Sequence, residues 1–364
     1  MNLPGKGGSG ARPVMIAGGG TGGHVFPGLA VAAELRKRGV PVVWMGTRSG
    51  IEGRVVPAAG IEVVWLNVVG LRGKGRQAKL LAPLRLLRAC GQALAGILRH
   101  RPRAVLGMGG FAAGPGGLMA RLTLRPLVVH EQNAVAGLTN RVLSRFANRV
   151  LGAMPNAFPS RSGELVGNPL RGAITHLPPP AERRVAQRGP VRLLVLGGSL
   201  GAASLNALLP KAIAALTVPL DVRHQAGRDK LEQAREAYAA AGVEAQVVDF
   251  IDDMAESYAW ADLVVCRAGA MTLAEIAAAG VASLLIPYPH AVDDHQTANA
   301  RYLAEAGAAE LLRQPRLDDQ RLKVVLQVLC EDRARLLDMA NKARDLARID
   351  AAARVAEIVL EVSR

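Results

Sequence analysis

The strongest constraint in this sequence is a local pattern that occurs twice: an apolar run, a glycine-rich turn, then a helical stretch. PVMIAGG (13–19) enters GGGTGGHVFPG (18–28), continues as PGLAVAAELRKRG (27–39) and is followed by PVVWMGT (41–47). Strand, loop, helix and strand in that order predict a parallel sheet, because parallel neighbours need a crossover between them. Further strands are predicted at 61–67, 104–108, 126–130 and 149–153. The pattern restarts at VRLLVLGGSLGAASLNALLP (191–210), with strands at 220–227, 246–250, 263–269 and 282–288 and a helical C-terminus. Between the two series lies 155–190, with seven prolines, which reads as a connection. At 364 residues the chain exceeds what one core usually supports. The predicted fold class is therefore α/β: two consecutive Rossmann-like, doubly wound parallel-sheet domains. Each should present its glycine turns at the carboxyl ends of its strands, facing a cleft.

The glycine loops carry the chemistry. Gly18, Gly20 and Gly23 satisfy GxGxxG, but the second strand ends Trp44-Met45-Gly46-Thr47, with no acid to hold a dinucleotide ribose. What survives is anion binding, since glycines admit close backbone approach and the following helix N-terminus favours negative charge. Further such turns are GMGGFAAGPGG (107–117) and GGSLGAAS (197–204). Three turns suggest two separate anions. There is no GxxxxGK[ST], no DxD and no HExxH, so P-loop hydrolysis, a metal-dependent sugar-transfer site and a zinc protease are not indicated. His24 sits at the first loop–helix junction, and His130-Glu131 in HEQN (130–133) is a candidate acid/base pair.

Charge divides the chain. Residues 1–168 hold 22 basic and 5 acidic residues, whereas 169–364 hold 23 and 25. Between Glu62 and Glu131 stand eleven basic residues and no acid. Within that span KLLAPLRLLRACGQALAGILRH (79–100) places Leu80, Leu84, Leu87, Leu94 and Ile97 at helical spacing beside Lys and Arg. With aromatics at only 3%, such a surface suits an anionic membrane rather than a base-stacking nucleic-acid site. The three scattered cysteines form no framework or metal motif and fit a reduced compartment. MNLPGKGGSGAR lacks the apolar region of a signal peptide, and no apolar run is long enough to span a bilayer.

In order, GGGTGGHVFPGLA, GMGGF, HEQNAVAGLTNR, GNPLR, GGSLGA, CRAGAMTLAEI and HAVDDHQTANA resemble the MurG family of bacterial GT-B glycosyltransferases, from about residue 13 to 345. The resemblance implies inverting transfer of N-acetylglucosamine from UDP-N-acetylglucosamine to lipid I, the undecaprenyl-diphosphate-linked muramoyl pentapeptide, giving lipid II for peptidoglycan. It implies a peripheral enzyme at the cytoplasmic face of the bacterial inner membrane, with no cofactor, no metal and no nucleic-acid partner. The implied division is a tail at 1–12, an acceptor- and membrane-binding domain at 13–169 plus a C-terminal helix at about 347–364, and a UDP-sugar domain at 170–346.

Carried over residue by residue, the donor contacts are Thr21, Gly22 and Gly23 in the first loop, Asn133 of HEQN, Arg171 of GNPLR and Ser199 of GGS. Ile251 stands where a backbone reads uracil, and Ala270, Met271, Thr272, Leu273, Ala274 and Glu275 where a segment lines the nucleotide, with Glu275 on the ribose. Gln296 and Asn299 match amides that hold sugar hydroxyls. The acceptor diphosphate falls to Gly20, Gly109 and Gly110, and the general base to His24, with Glu131 and His130 as rivals. Two positions depart from the family: Phe111 replaces a frequent Tyr, and Met271 a frequent Leu. A nucleotide-sugar transferase acting on another membrane lipid would share these features, and an acceptor assay separates the two.

Overall fold

A computed structural model describes residues 12–68, 82–158, 161–184, 189–198, 202–314 and 317–364. These residues divide into two compact units. The first comprises the chain to Gln132, Ala136–Pro169 and Asp350–Arg364; the second comprises Asn133–Val135 and Leu170–Ile349.

In chain order the first unit runs β1 (Val14–Gly18), α1 (Gly22–Lys37), β2 (Val42–Gly46), α2 (Glu52–Ala58), β3 (Glu62–Trp65), α3 (Ala82–His100) and β4 (Ala104–Gly109). It continues with α4 (Gly110–Leu122), β5 (Leu127–Glu131), α5 (Leu138–Ser144), β6 (Arg149–Gly152) and β7 (Glu164–Leu165). The seven described strands pair in parallel in the order β3-β2-β1-β4-β5-β6-β7. β1, β2, β4 and β5 are buried along their whole length, as a sheet covered on both faces requires.

The second unit contains α6 (Gly172–Thr175), α7 (Pro180–Arg184), β8 (Val191–Leu196), α8 (Ala203–Ala214), β9 (Leu220–Gln225), α9 (Leu231–Ala240) and β10 (Gln246–Val248). It goes on through α10 (Met254–Trp260), β11 (Leu263–Cys266), α11 (Ala270–Ala279), β12 (Ala282–Leu285), α12 (His295–Glu305), β13 (Ala309–Leu311), α13 (Asp319–Glu331) and α14 (Arg333–Asp345). Its six described strands are parallel, in the order β10-β9-β8-β11-β12-β13. Both units are thus doubly wound α/β sheets.

The last helix, α15 (Ala351–Glu361), belongs to the first unit and packs on α1. Val355, Ala356, Ile358 and Val359 join the core beneath β1, β2 and β4. Arg354 holds the helix to Glu164, and Glu357 meets Arg38 at the end of α1.

α3 departs from a simple core-facing helix. Its buried positions are Ala89, Ala93, Gly96 and Ile97, whereas Pro83 to Arg88 are all exposed. Leu84 is 65% and Leu87 68% exposed, with Arg85 and Arg88 beside them. Leu80 and the basic residues Arg72, Lys74, Arg76 and Lys79 lie outside the described residues. No described helix is long and apolar enough to cross a membrane.

Candidate active site

In the first unit the glycine loops are packed against each other by backbone. Gly110 has φ +76°, and a Cβ there would lie 2.1 Å from the Gly19 carbonyl oxygen. Gly109, at φ +96°, lies against His24: a Cβ would stand 2.8 Å from the ring Cδ2. Only glycine satisfies both the angle and the distance at these two positions. Trp44 Nε1 donates to Gly18 O at 2.9 Å, anchoring the start of the first loop.

His24 Nδ1 lies 3.2 Å from Gly19 O and 3.2 Å from Thr21 Oγ1. A carbonyl oxygen only accepts, so Nδ1 carries the proton and Nε2 the lone pair in the neutral ring. Thr21 is the N-cap of α1 in extended conformation, with no side-chain cap bond. The first helical bonds to Thr21 O come from His24 and Val25, so the Gly22 and Gly23 amides are among the unpaired donors of a helix start.

The same economy marks α4 and α8, the helices after the other two glycine turns, and α11, which follows Gly269. None has a side-chain cap or an acid in its first turn. By contrast α10, α13 and α14 are capped by Asp253, Asp318 and Asp332, each accepting from a backbone amide. The helices that follow glycine turns thus lack the side-chain cap and first-turn acid that would offset their positive ends, an arrangement compatible with an anion.

Several predicted residues serve structure instead. Gly20 donates its amide to Glu52 Oε2 at 2.9 Å, so that N–H is not presented to a ligand. His130 is fully buried. Its Nε2 donates to Gly167 O at 2.9 Å, and its Nδ1 accepts from Gln132 Nε2 at 3.1 Å. Burial lowers its pKa, against the opposing effects of the Gly167 bond and the Glu131 charge. A neutral imidazole with both nitrogens engaged is a scaffold, not a base. Glu131 is buried, and its Oε2 accepts from Gly137 N and Asn140 Nδ2, which fixes the start of α5.

In the second unit Glu275 lies on α11, and its Oε2 accepts from Tyr258 Oη at 3.1 Å. Burial raises its pKa, opposed by the Tyr258 hydrogen bond and the Arg171 charge. Arg171 is exposed at the N-cap of α6. Gln296 Oε1 accepts from Tyr288 N at 2.9 Å. Asn299 is fully buried, accepting from Ala134 N (2.8 Å) and donating to Asn133 Oδ1 (3.2 Å) and Ala268 O (3.1 Å). Its amide is committed to protein partners, so it positions Asn133 rather than reading a sugar. Leu273 is also fully buried, with its amide on Gly269 O, and belongs to the core. Ala270 is buried by its side chain, while Ile251, Met271, Thr272 and Ala274 are half-buried. Ser199 lies outside the described residues.

Two residues that sequence reasoning missed complete the frame. Arg267 donates to Ile286 O, Pro287 O and Ser204 Oγ, tying the ends of β11 and β12 to the first turn of α8. Glu52 holds the first glycine loop from beneath. Its one sequence signal is rarity, as one of five acids in residues 1–168.

Residues 14–152 match the glycosyltransferase family 28 N-terminal domain and residues 192–357 its C-terminal domain. The chain is 59% identical over 355 residues to a protein of Alkalilimnicola ehrlichii, covering 97% of this chain and 99% of that one. That relative is named UDP-N-acetylglucosamine--N-acetylmuramyl-(pentapeptide) pyrophosphoryl-undecaprenol N-acetylglucosamine transferase. The crystal structure of Acinetobacter baumannii MurG aligns with a TM-score of 0.85 and 41% identity, covering 96% of this chain and 99% of that one. The chain belongs to the MurG family. A protein of the same name from Xanthomonas campestris is 56% identical over 362 residues, covering 99% of this chain and 84% of that one. Membership in the MurG family makes the two parallel-sheet units a GT-B fold and the chain a glycosyltransferase.

Proposed function

We propose that the protein transfers N-acetylglucosamine from UDP-N-acetylglucosamine to the C4 hydroxyl of the muramoyl pentapeptide carried on undecaprenyl diphosphate, at the cytoplasmic face of the bacterial inner membrane. The observation that carries this reading is 59% identity, over almost the whole chain, to a relative named for that transfer. A lipid-borne acceptor gives the exposed end of α3 a purpose. Burying Leu84, Leu86 and Leu87 in an apolar medium is worth about 1.5–3 kcal/mol each. Arg85 and Arg88 add about 1 kcal/mol each at an anionic surface.

His24 Nε2 takes the proton of the acceptor C4 hydroxyl as its oxygen attacks the anomeric carbon. The bond from that carbon to the UDP oxygen breaks, and the configuration inverts. The acceptor diphosphate rests on the amide-rich start of α4, with Gly109 and Gly110, while Thr21, Gly22 and Gly23 at the start of α1 contact the donor. The leaving diphosphate meets the start of α11, which has no side-chain cap, and Ser199. Glu275 accepts from the ribose hydroxyls, with Arg171 and the half-buried Ile251, Met271, Thr272 and Ala274 around the nucleotide. Gln296 and Asn133 hold sugar hydroxyls. No step calls on a metal or other cofactor. Purified protein should transfer labelled sugar to the undecaprenyl-linked muramoyl pentapeptide and not to diacylglycerol. Transfer to diacylglycerol alone would overturn the reading.

A further inference from the structure

We infer that Glu52 positions and tunes His24 through the single peptide unit that joins Gly19 to Gly20. The inference rests on the reading of His24 as the base and extends it to a residue 28 positions away.

Glu52 is fully buried at the start of α2. Its Oε1 accepts from Thr47 N (3.0 Å) and Thr47 Oγ1 (2.6 Å), and its Oε2 from Gly20 N (2.9 Å). Three donors on one buried carboxyl suit its ionised form, which accepts only. Glycine backbone encloses it: a Cβ on Gly19 would lie 2.3 Å from Oε1, and one on Gly50 2.1 Å from Oε2.

The N–H on Glu52 and the C=O on His24 belong to the same peptide plane. Gly20 N–H points to the carboxylate, and Gly19 C=O accepts from His24 Nδ1. The plane is rigid and conjugated, so fixing one end fixes the other. A carboxylate on the N–H makes the carbonyl a stronger acceptor, as in any polarised hydrogen-bond chain. That carbonyl selects the Nδ1–H tautomer, leaves Nε2 as the base and favours the imidazolium formed when the proton arrives. Glu52 is a positioning residue in this scheme, since it meets substrate nowhere.

The other charged groups around α1 are placed differently. Glu131 accepts from Asn140, whose Nδ2 lies beside Gly109, and α4 contributes glycine backbone. Arg38 and Glu357 pair at the opposite end of α1, about 20 Å along the helix.

Glu52→Gln tests the inference, because an amide cannot accept from both Gly20 and Thr47 without turning a donor on a donor. In the full chain, kcat should fall about tenfold or more, with KM for UDP-N-acetylglucosamine within about twofold of wild type. The acidic limb of kcat/KM should move to lower pH by about half a unit. Thr47→Val keeps the charge, and its limb should stay in place. Ring-nitrogen NMR of His24 gives a readout independent of turnover: wild type should show Nδ1–H in the neutral ring, and Glu52→Gln a mixed tautomer.

A Glu52→Gln enzyme that is slow but keeps its limb and tautomer makes Glu52 a scaffold only and overturns the inference. So does an Nε2–H tautomer in wild type, a result available even if the variant fails to fold. Near-wild-type turnover in His24→Gln would instead remove the base assignment, while the tautomer measurement still judges the relay.

Discussion

Acidification should loosen the second unit through one buried histidine. His224 on β9 is fully buried, with Nε2 3.1 Å from Asn206 Oδ1 and Nδ1 3.0 Å from Tyr238 Oη. The amide oxygen only accepts, so Nε2 carries the proton and Nδ1 accepts from Tyr238. Burial pushes the pKa of this ring down to about 4, from about 6.5 in an unfolded chain. The unfolded state therefore takes up a proton that the folded state refuses between those values. Stability is fully present above pH 6.5 and drains away as pH falls toward 4, at about 1.4 kcal/mol per pH unit. Between pH 7 and 4.5 the loss is about 2–3 kcal/mol.

His224→Gln removes the titrating group, so the difference between wild type and variant isolates it from every other group. Urea unfolding read by pulsed hydrogen exchange in peptides spanning 191–248 reports this unit alone. The stability advantage of wild type over the variant should shrink by that amount across the window. An advantage that is the same at pH 7 and pH 4.5 would mean that His224 does not carry this loss. Asn206 lies in the first two turns of α8, so the titrating ring is tied to that helix.

Four further outcomes follow from the same geometry. Gly110→Ala meets both a positive φ and the Gly19 carbonyl, so it should cost at least about 2 kcal/mol in thermal or urea unfolding of the first unit and abolish most turnover. Glu275→Gln should raise KM for UDP-N-acetylglucosamine about tenfold, and a donor lacking the ribose hydroxyls should lose its disadvantage in that variant. Burial raises the Glu275 pKa, so the ribose acceptor is lost as pH falls through that raised value and donor affinity should weaken there in a calorimetric titration; ionisation on the way back up costs fold stability. Leu84→Ser and Leu87→Ser combined with Arg85→Glu and Arg88→Glu should cut sedimentation with anionic vesicles at least tenfold while sparing turnover on a short-chain acceptor.

The sequence disclosed the strand–turn–helix periodicity because buried parallel strands are apolar runs and their turns need glycine. β1, β2 and β4 fall within one or two residues of the predicted strands. It disclosed less about which residues of a motif face outward. HEQN places His130, Glu131, Gln132 and Asn133 side by side, yet the first three are buried and Asn133 is half-buried. Pleating and the bend that follows the strand decide this, and spacing along a short motif does not. Leu273 and Asn299 turn inward because each lies on the buried face of its helix, α11 or α12. Glu52 was illegible because its partners lie 5 and 32 residues away, and only the pairing of β1 with β2 brings them together. The exposed first turns of α3 show the reverse case. Basic residues among helically spaced leucines pointed to a surface, and Leu84 and Leu87 do face outward, whereas Ile97 of the same set is buried on a helix whose core contacts begin at Ala89.

Steady-state transfer of labelled N-acetylglucosamine to the undecaprenyl-linked acceptor, by wild type and by His24→Gln, interrogates the chemistry most directly. Wild type should transfer robustly, and the variant should lose about 100-fold or more in kcat with UDP affinity within about twofold of wild type. Near-wild-type turnover in the variant, or a wild-type enzyme inert toward this acceptor, would contradict the proposed mechanism.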